Sequence, residues 1–132
     1  MKFRPKKRKA IANMGLTRVA VNVIDFHSGN SYQSDFLVDT GATDSMAPTS
    51  ELHKIGLKPD GQMTYELANG HIEQYEFGLA QISFMNETTA GRVIFGPDNI
   101  EPILGVTALE SAGITIDPAN QQLKRLPAIP LK

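Results

Sequence analysis

From Thr17 to Ile24 apolar and polar positions alternate, with Val19, Val21 and Val23 on one face and Arg18, Ala20 and Asn22 on the other. A period of two is the mark of a strand that buries one face. Asp25 to Ser31, with His27, Gly29 and Asn30, has the small and polar residues of a turn. Tyr32 to Val38 then reads as a second strand, ending in the apolar run Phe36, Leu37, Val38, so a hairpin delivers the chain to Asp39. The segment after Asp39 is expected to be a loop. Pro48 to Ile55 predicts a short helix, with Thr49 and Ser50 as capping candidates, Leu52 and Ile55 at i and i+3, and Gly56 placed to stop it.

Between Gln62 and Phe84 two strand-like stretches meet at Asn69-Gly70, the dipeptide suited to a two-residue hairpin turn with positive φ at both positions. Thr88 to Phe95 is a further strand, closed by Gly96, Pro97 and Asp98. Ile103 and Leu104 open a buried one. Val106 to Ala112 predicts a brief helix with Leu109 inward, ended by Gly113; Ile114 and Ile116 form an inward-facing pair, and Gln121 to Leu126 extends again. About seven short strands and two short helices describe a mainly β domain, barrel-like and closed on itself.

A chain of 132 residues with 41% hydrophobic and 20% charged positions is long enough for one modest core. It contains no Cys, which excludes disulfides, thiolate metal sites and a cysteine nucleophile. No apolar run reaches the length of a membrane span, so no membrane association is expected. The basic start carries no apolar stretch before Met14, and the cytoplasm is the expected compartment.

The net charge of -1 hides an asymmetry. Lys2, Arg4, Lys6, Lys7, Arg8 and Lys9 are six of the 13 basic residues, leaving a body with seven basic against 14 acidic side chains. Residues 1–13 are therefore read as a basic, mobile extension and residues 14–132 as a single domain. A nucleic-acid arm and a natural start at Met14 stay open as other readings of the extension. The acidic body opposes nucleic acid as a partner.

The chemistry concentrates at Asp39-Thr40-Gly41, directly after the apolar end of the second strand. A carboxylate there, followed by a small hydroxyl residue and a glycine, can be aimed into a cleft while backbone N–H groups of a tight loop bond its oxygens. An Asp that merely caps its own turn is the plain alternative. No Gly-x-Ser-x-Gly elbow surrounds any serine, and His27, His53 and His71 lack ligand spacing. No Walker or dinucleotide glycine pattern is present, so neither a metal nor a cofactor is expected.

The run Phe36-Leu37-Val38-Asp39-Thr40-Gly41-Ala42-Thr43 resembles the active-site segment of retropepsin-like aspartic proteases. Ile103-Leu104-Gly105, led in by Phe95-Gly96-Pro97, resembles that family's second signature, and Asn69-Gly70 falls where the family places its flap hairpin. The resemblance spans Thr17 to Leu126 and is nearest to the small bacterial and archaeal-type members. It implies a closed β barrel with a flap, one lobe per chain, and an endopeptidase acting on peptide or protein substrates. It further implies that Asp39 is catalytic, that Thr40, Gly41 and Ala42 support the active-site loop, that Asn69 and Gly70 form the flap tip, and that Ile103, Leu104 and Gly105 pack beneath.

Aspartic protease chemistry needs two carboxylates sharing a proton across a water. Only one Asp-Thr-Gly occurs, so the second carboxylate is expected from a second copy in a homodimer. Viral members carry an Asp/Arg ion pair where this chain has Thr43 and Val106, and both partners are replaced together. Asp44 has two readings, a solvated loop acid or a substrate-binding group. The rival for the whole chain is a non-catalytic dimeric peptide-binding or assembly module on the same fold.

Overall fold

The computed structural model describes residues 17–117 and 119–131. The expectation for the basic segment 1–13 lies outside these described residues. The elements run β1 (Arg18–Ile24), β2 (Ser31–Asp39), β3 (Ser45–Pro48), α1 (Thr49–Lys54), β4 (Gly61–Glu66), β5 (Ile72–Phe84), β6 (Glu87–Gly96), β7 (Ile103–Gly105), α2 (Val106–Ala112), β8 (Ile114–Asp117) and β9 (Gln122–Arg125).

Six of these strands close a ring in the order β1-β2-β7-β3-β6-β5, with β5 returning to β1 through Asn22↔Ser83, Val23↔Ile82 and Ile24↔Gln81. The period of two on β1, β2 and β5 fills this barrel, because Val21, Val23, Phe36, Ile82 and Phe84 all turn inward and are buried. The mainly β barrel with two short helices is as the sequence implies. β4 stands outside the ring and pairs with β5 alone, from Gly61↔Phe77 to Glu66↔Ile72. β5 thus serves two structures: its C-terminal half belongs to the barrel, and its N-terminal half forms the projecting hairpin with β4. β8 and β9 make a separate two-stranded sheet.

Three local expectations are corrected. The segment after Asp39 is not all loop: β3 lies parallel to β6 and antiparallel to β7. The hairpin between β4 and β5 does not turn in two residues. Leu67 N–H donates to His71 O at 2.8 Å and Gly70 N–H to Leu67 O at 2.9 Å, leaving a three-residue loop, Ala68-Asn69-Gly70, in which only Gly70 takes positive φ (87°). The two-residue turn with both φ positive is at Met85 (52°) and Asn86 (62°), between β5 and β6. Finally, Pro48 occupies the N-cap of α1 without a side-chain bond, and Asp98 Oδ1 accepts the Ser50 N–H at 2.8 Å. The Thr49 hydroxyl donates instead to Gly96 O at 2.7 Å.

Both helix ends follow the glycines. Gly56 (φ 87°) lets its own N–H reach His53 O while Leu57 N–H reaches Leu52 O, and Gly113 (φ 73°) closes α2 through Glu110 O. These stops place Leu52, Leu57, Leu109 and Ala112 in the common core.

Candidate active site

Asp39 is the last residue of β2, half-buried, following the inward-facing Phe36 and Val38. Its strand lies parallel to β7, with Leu37↔Ile103, Val38↔Leu104 and Asp39↔Gly105 in register. The chain turns sharply beyond it: Gly41 N–H donates to Asp39 Oδ1 at 3.0 Å and Ala42 N–H to Asp39 O at 3.1 Å. A Cβ on Gly41 would stand 3.3 Å from that same Oδ1, so the glycine leaves the carboxylate room. The Thr40 side chain is exposed and has no hydrogen-bond partner among the described residues.

The loop is then pinned to α2. Ala42 O accepts Val106 N–H at 2.8 Å and Thr43 O accepts Thr107 N–H at 3.1 Å, so loop carbonyls take up free N–H groups of the first helical turn. Gly105 lies underneath, where a Cβ would come within 2.6 Å of the Asp44 carbonyl carbon and oxygen. Its N–H donates to the buried Ser45 Oγ at 3.0 Å. Leu104 is fully buried and Ile103 partly so. The two sequence signatures, 64 residues apart between Asp39 and Ile103, therefore meet in one place.

The hairpin tip residues Asn69 and Gly70 are exposed, with Asn69 Oδ1 accepting the His71 N–H at 2.9 Å. Contact between the hairpin and the loop runs through residues that sequence reasoning did not single out. Asp44 is not a solvated acid: its side chain is 6% exposed, and Oδ2 accepts the Tyr65 hydroxyl at 2.6 Å with Arg92 Nη1 at 3.6 Å. Burial first, and then the bond to Asp44, push the Tyr65 phenol up, which favours its protonated, donating form. The Arg92 guanidinium lies 5.1 Å from the Phe77 ring centroid. A signal existed in hindsight. Arg92 interrupts an otherwise apolar strand end, Val93-Ile94-Phe95, and Tyr65 shares the inward face of β4 with Met63.

Ile94 is buried but stands outside the core cluster, beside Met46 and Phe77 in register. The apolar surface on the barrel's other face comes from the half-buried Met46 and Phe77, Ile94 itself being covered. Among the described residues no helix is long and apolar enough to cross a membrane, and no group of three His, Asp or Glu side chains is placed to hold a metal.

A strand-end Asp-Thr-Gly loop, locked over a glycine and faced by a β hairpin on a closed six-stranded barrel, defines a retropepsin-like lobe. Residues 11–108 match the family of aspartyl proteases, and the chain belongs to that family. The solution structure of the simian foamy virus (mac) protease shares the fold, at a TM-score of 0.50 and 14% identity over 70% of this chain and 91% of that one. None of the curated proteins matches the chain in sequence.

Proposed function

We propose that the protein is an aspartic endopeptidase whose active site forms at the axis of a homodimer, with one Asp39 from each copy. The observation that supports this most is where the other aspartates go. Asp25 Oδ2 accepts Ser28 N–H, Asp44 Oδ2 accepts Tyr65 and Asp60 Oδ2 accepts Leu79 N–H. Asp98 Oδ1 accepts Ser50 N–H and Asp117 Oδ1 accepts Ala119 N–H, while Asp35 is exposed in mid-strand. Only Asp44 stands at the loop that carries Asp39, and its carboxylate is almost wholly buried and turned to Tyr65 and Arg92, so on this reading a second carboxylate comes from a second copy. The exposed Thr40 hydroxyl, without a hydrogen-bond partner among the described residues, suits a bond across that axis.

In the mechanism this assigns, the ionised Asp39 takes a proton from the bound water as its oxygen attacks the peptide carbonyl carbon. The protonated Asp39 of the second copy gives its proton to the carbonyl oxygen, forming a tetrahedral diol. A proton then passes from a carboxyl to the amide nitrogen, the C–N bond breaks, and a carboxyl and an amine are released. The Gly41 N–H, donating to Oδ1, holds the carboxylate in orientation without a cation. The hairpin tip at Asn69 and Gly70 would cover the bound peptide, and the apolar surface around Ile94 favours apolar side chains near the cut.

The test is cleavage of a mixed peptide library, followed with wild type and Asp39→Asn. Wild type should cleave and be blocked by pepstatin-type peptides but not by chelators, and Asp39→Asn should lose about 10²- to 10⁴-fold or more in rate. Peptide binding without cleavage, unchanged in Asp39→Asn, would replace this reading with that of a binding or assembly module.

A further inference from the structure

The β4–β5 hairpin has little to hold it down. β4 alternates between half-buried and exposed residues, makes extended contact with β5 alone, and leads to a tip flanked by the exposed Leu67 and Ile72. A two-stranded ribbon with no core of its own should move freely. Yet three residues before the tip loop, the Tyr65 hydroxyl makes a 2.6 Å bond to a carboxylate that is almost wholly buried. That carboxylate belongs to Asp44, five residues beyond Asp39 and at the end of the same loop.

The anchor is rigid. The Asp44 carbonyl is packed against Gly105 so closely that a single methyl would not fit, and Ser45 beside it is bonded to the Gly105 N–H. Arg92 from β6 stands 3.6 Å from the same Asp44 oxygen and is itself seated over Phe77 of β5. The Tyr65 ring packs against Tyr75 across the hairpin at 6.2 Å. The carboxylate thus has a cation on the barrel side and a phenol on the hairpin side, and the phenol is the one of the two on a movable element.

We propose that Tyr65 is a positioning residue for the reaction, tethering the hairpin to the active-site loop through Asp44 so that the substrate cleft opens only when this bond breaks. The proposal rests on the reading of the Asp39 loop as the active site, but the tether itself is a physical claim about this chain. A hydrogen bond to a charged, buried acceptor is among the stronger ones. Its loss lets the tip, within about 10 Å along an extended strand, separate from the loop far more often. Easier opening speeds departure of substrate without touching the reacting atoms, so KM carries the effect and kcat does not.

The experiment is amide hydrogen exchange and steady-state kinetics on the full chain, comparing wild type, Tyr65→Phe, Asp44→Asn and the double variant. Tyr65→Phe keeps the half-buried ring and removes only the hydroxyl. It should speed exchange at Leu67 and Gly70 by about tenfold or more while Val21, Val38 and Val93 stay unchanged. KM should rise severalfold with kcat within about twofold. Asp44→Asn, whose amide oxygen still accepts the phenol, should give a smaller rise, and the double variant should add little to Tyr65→Phe at the hairpin. Unchanged exchange at the hairpin in Tyr65→Phe, or equal acceleration throughout the barrel, would overturn the tether. Were wild type to cleave nothing, the endopeptidase reading would fail while the exchange result still decided the tether.

Discussion

Gly105→Ala tests the packing that holds the active-site loop in place. Gly105 has φ -87° and ψ 169°, extended values that any residue adopts, so alanine meets no backbone penalty there. What it meets is space already filled. Its Cβ would lie 2.6 Å from the carbonyl carbon and oxygen of Asp44 and 2.8 Å from Thr43 O, where ordinary contact begins near 3.4 Å. All three atoms are backbone, so no side chain can rotate away and the loop must lift by about 0.8 Å. That displacement takes the 3.0 Å bond from Gly105 N–H to Ser45 Oγ beyond bonding range and strains the 2.8 Å bond from Val106 N–H to Ala42 O.

Two weakened bonds at about 1 kcal/mol each, added to about 1–3 kcal/mol for overpacking, give a loss of about 3–5 kcal/mol. For a domain of this size that is a fall in Tm of about 12–20 °C. The melt is read by far-UV circular dichroism at fixed protein concentration, because association shifts Tm. Activity should drop by about 100-fold even below the melt, since a misplacement near 1 Å is enough for that. Gly91→Ala is the control: Gly91 lies in β6 with no atom within 4 Å of its would-be Cβ, so its Tm should stay within about 2 °C of wild type. A Gly105→Ala protein melting as close to wild type as that would refute the argument that the loop is held by close backbone packing.

Two other outcomes follow. When Asp39→Asn chains are mixed with an equal amount of wild type and allowed to exchange, pairing is binomial, and activity should settle at about half that of the wild-type protein alone. Full activity after verified exchange would mean that one Asp39 suffices. The Asp25 carboxyl is held below its ordinary value of 3.8 by Ser28, whose hydroxyl lies beside it and whose N–H donates to Oδ2, against the opposing effect of burial. A depressed folded value means that Asp25 stabilises fully above 3.8 and loses that contribution as pH falls through the folded value. The Tm advantage of wild type over Asp25→Asn should therefore be largest near neutrality and shrink in acid, and an advantage that grew below pH 3.8 would contradict the sign.

The parts of the fold that were legible in the sequence are those whose cause is local. Alternation marked β1 and β2 because Val21, Val23, Phe36 and Val38 each have one buried face. Gly56 and Gly113 marked helix ends because each must take positive φ there. What stayed hidden depends on distant partners. β3 is four residues long, ends in Pro48, and exists because β6 and β7 flank it. The Ser50 N–H in the first turn of α1 is bonded by Asp98, 48 residues away. Met85-Asn86 carries no glycine to mark it as a tight turn, whereas Asn69-Gly70 has the favoured composition but sits in a longer loop. The same divide runs through the candidate site. Asp39, Gly41 and Gly105 are marked by short motifs, while Tyr65 and Arg92 reach Asp44 only after the hairpin and β6 have folded beside it.

The exchange of the viral ion pair for Thr43 and Val106 takes on a physical meaning at this loop. At both positions the backbone makes the connection: Thr43 O accepts Thr107 N–H, and Val106 N–H donates to Ala42 O. Hydrogen bonds between main-chain groups need no charge and do not depend on which side chains stand there. The Gly105 bond to Ser45 and the close approach to Asp44 complete the same attachment from below. The bonds described at the loop that presents Asp39 therefore all lie within one chain. On the proposed reading, association then contributes a carboxylate and the Thr40 bond across the axis, and no part of the loop's folding. Dilution should accordingly remove activity at concentrations where the barrel still melts as a folded unit, which a loop ordered only by its partner could not do.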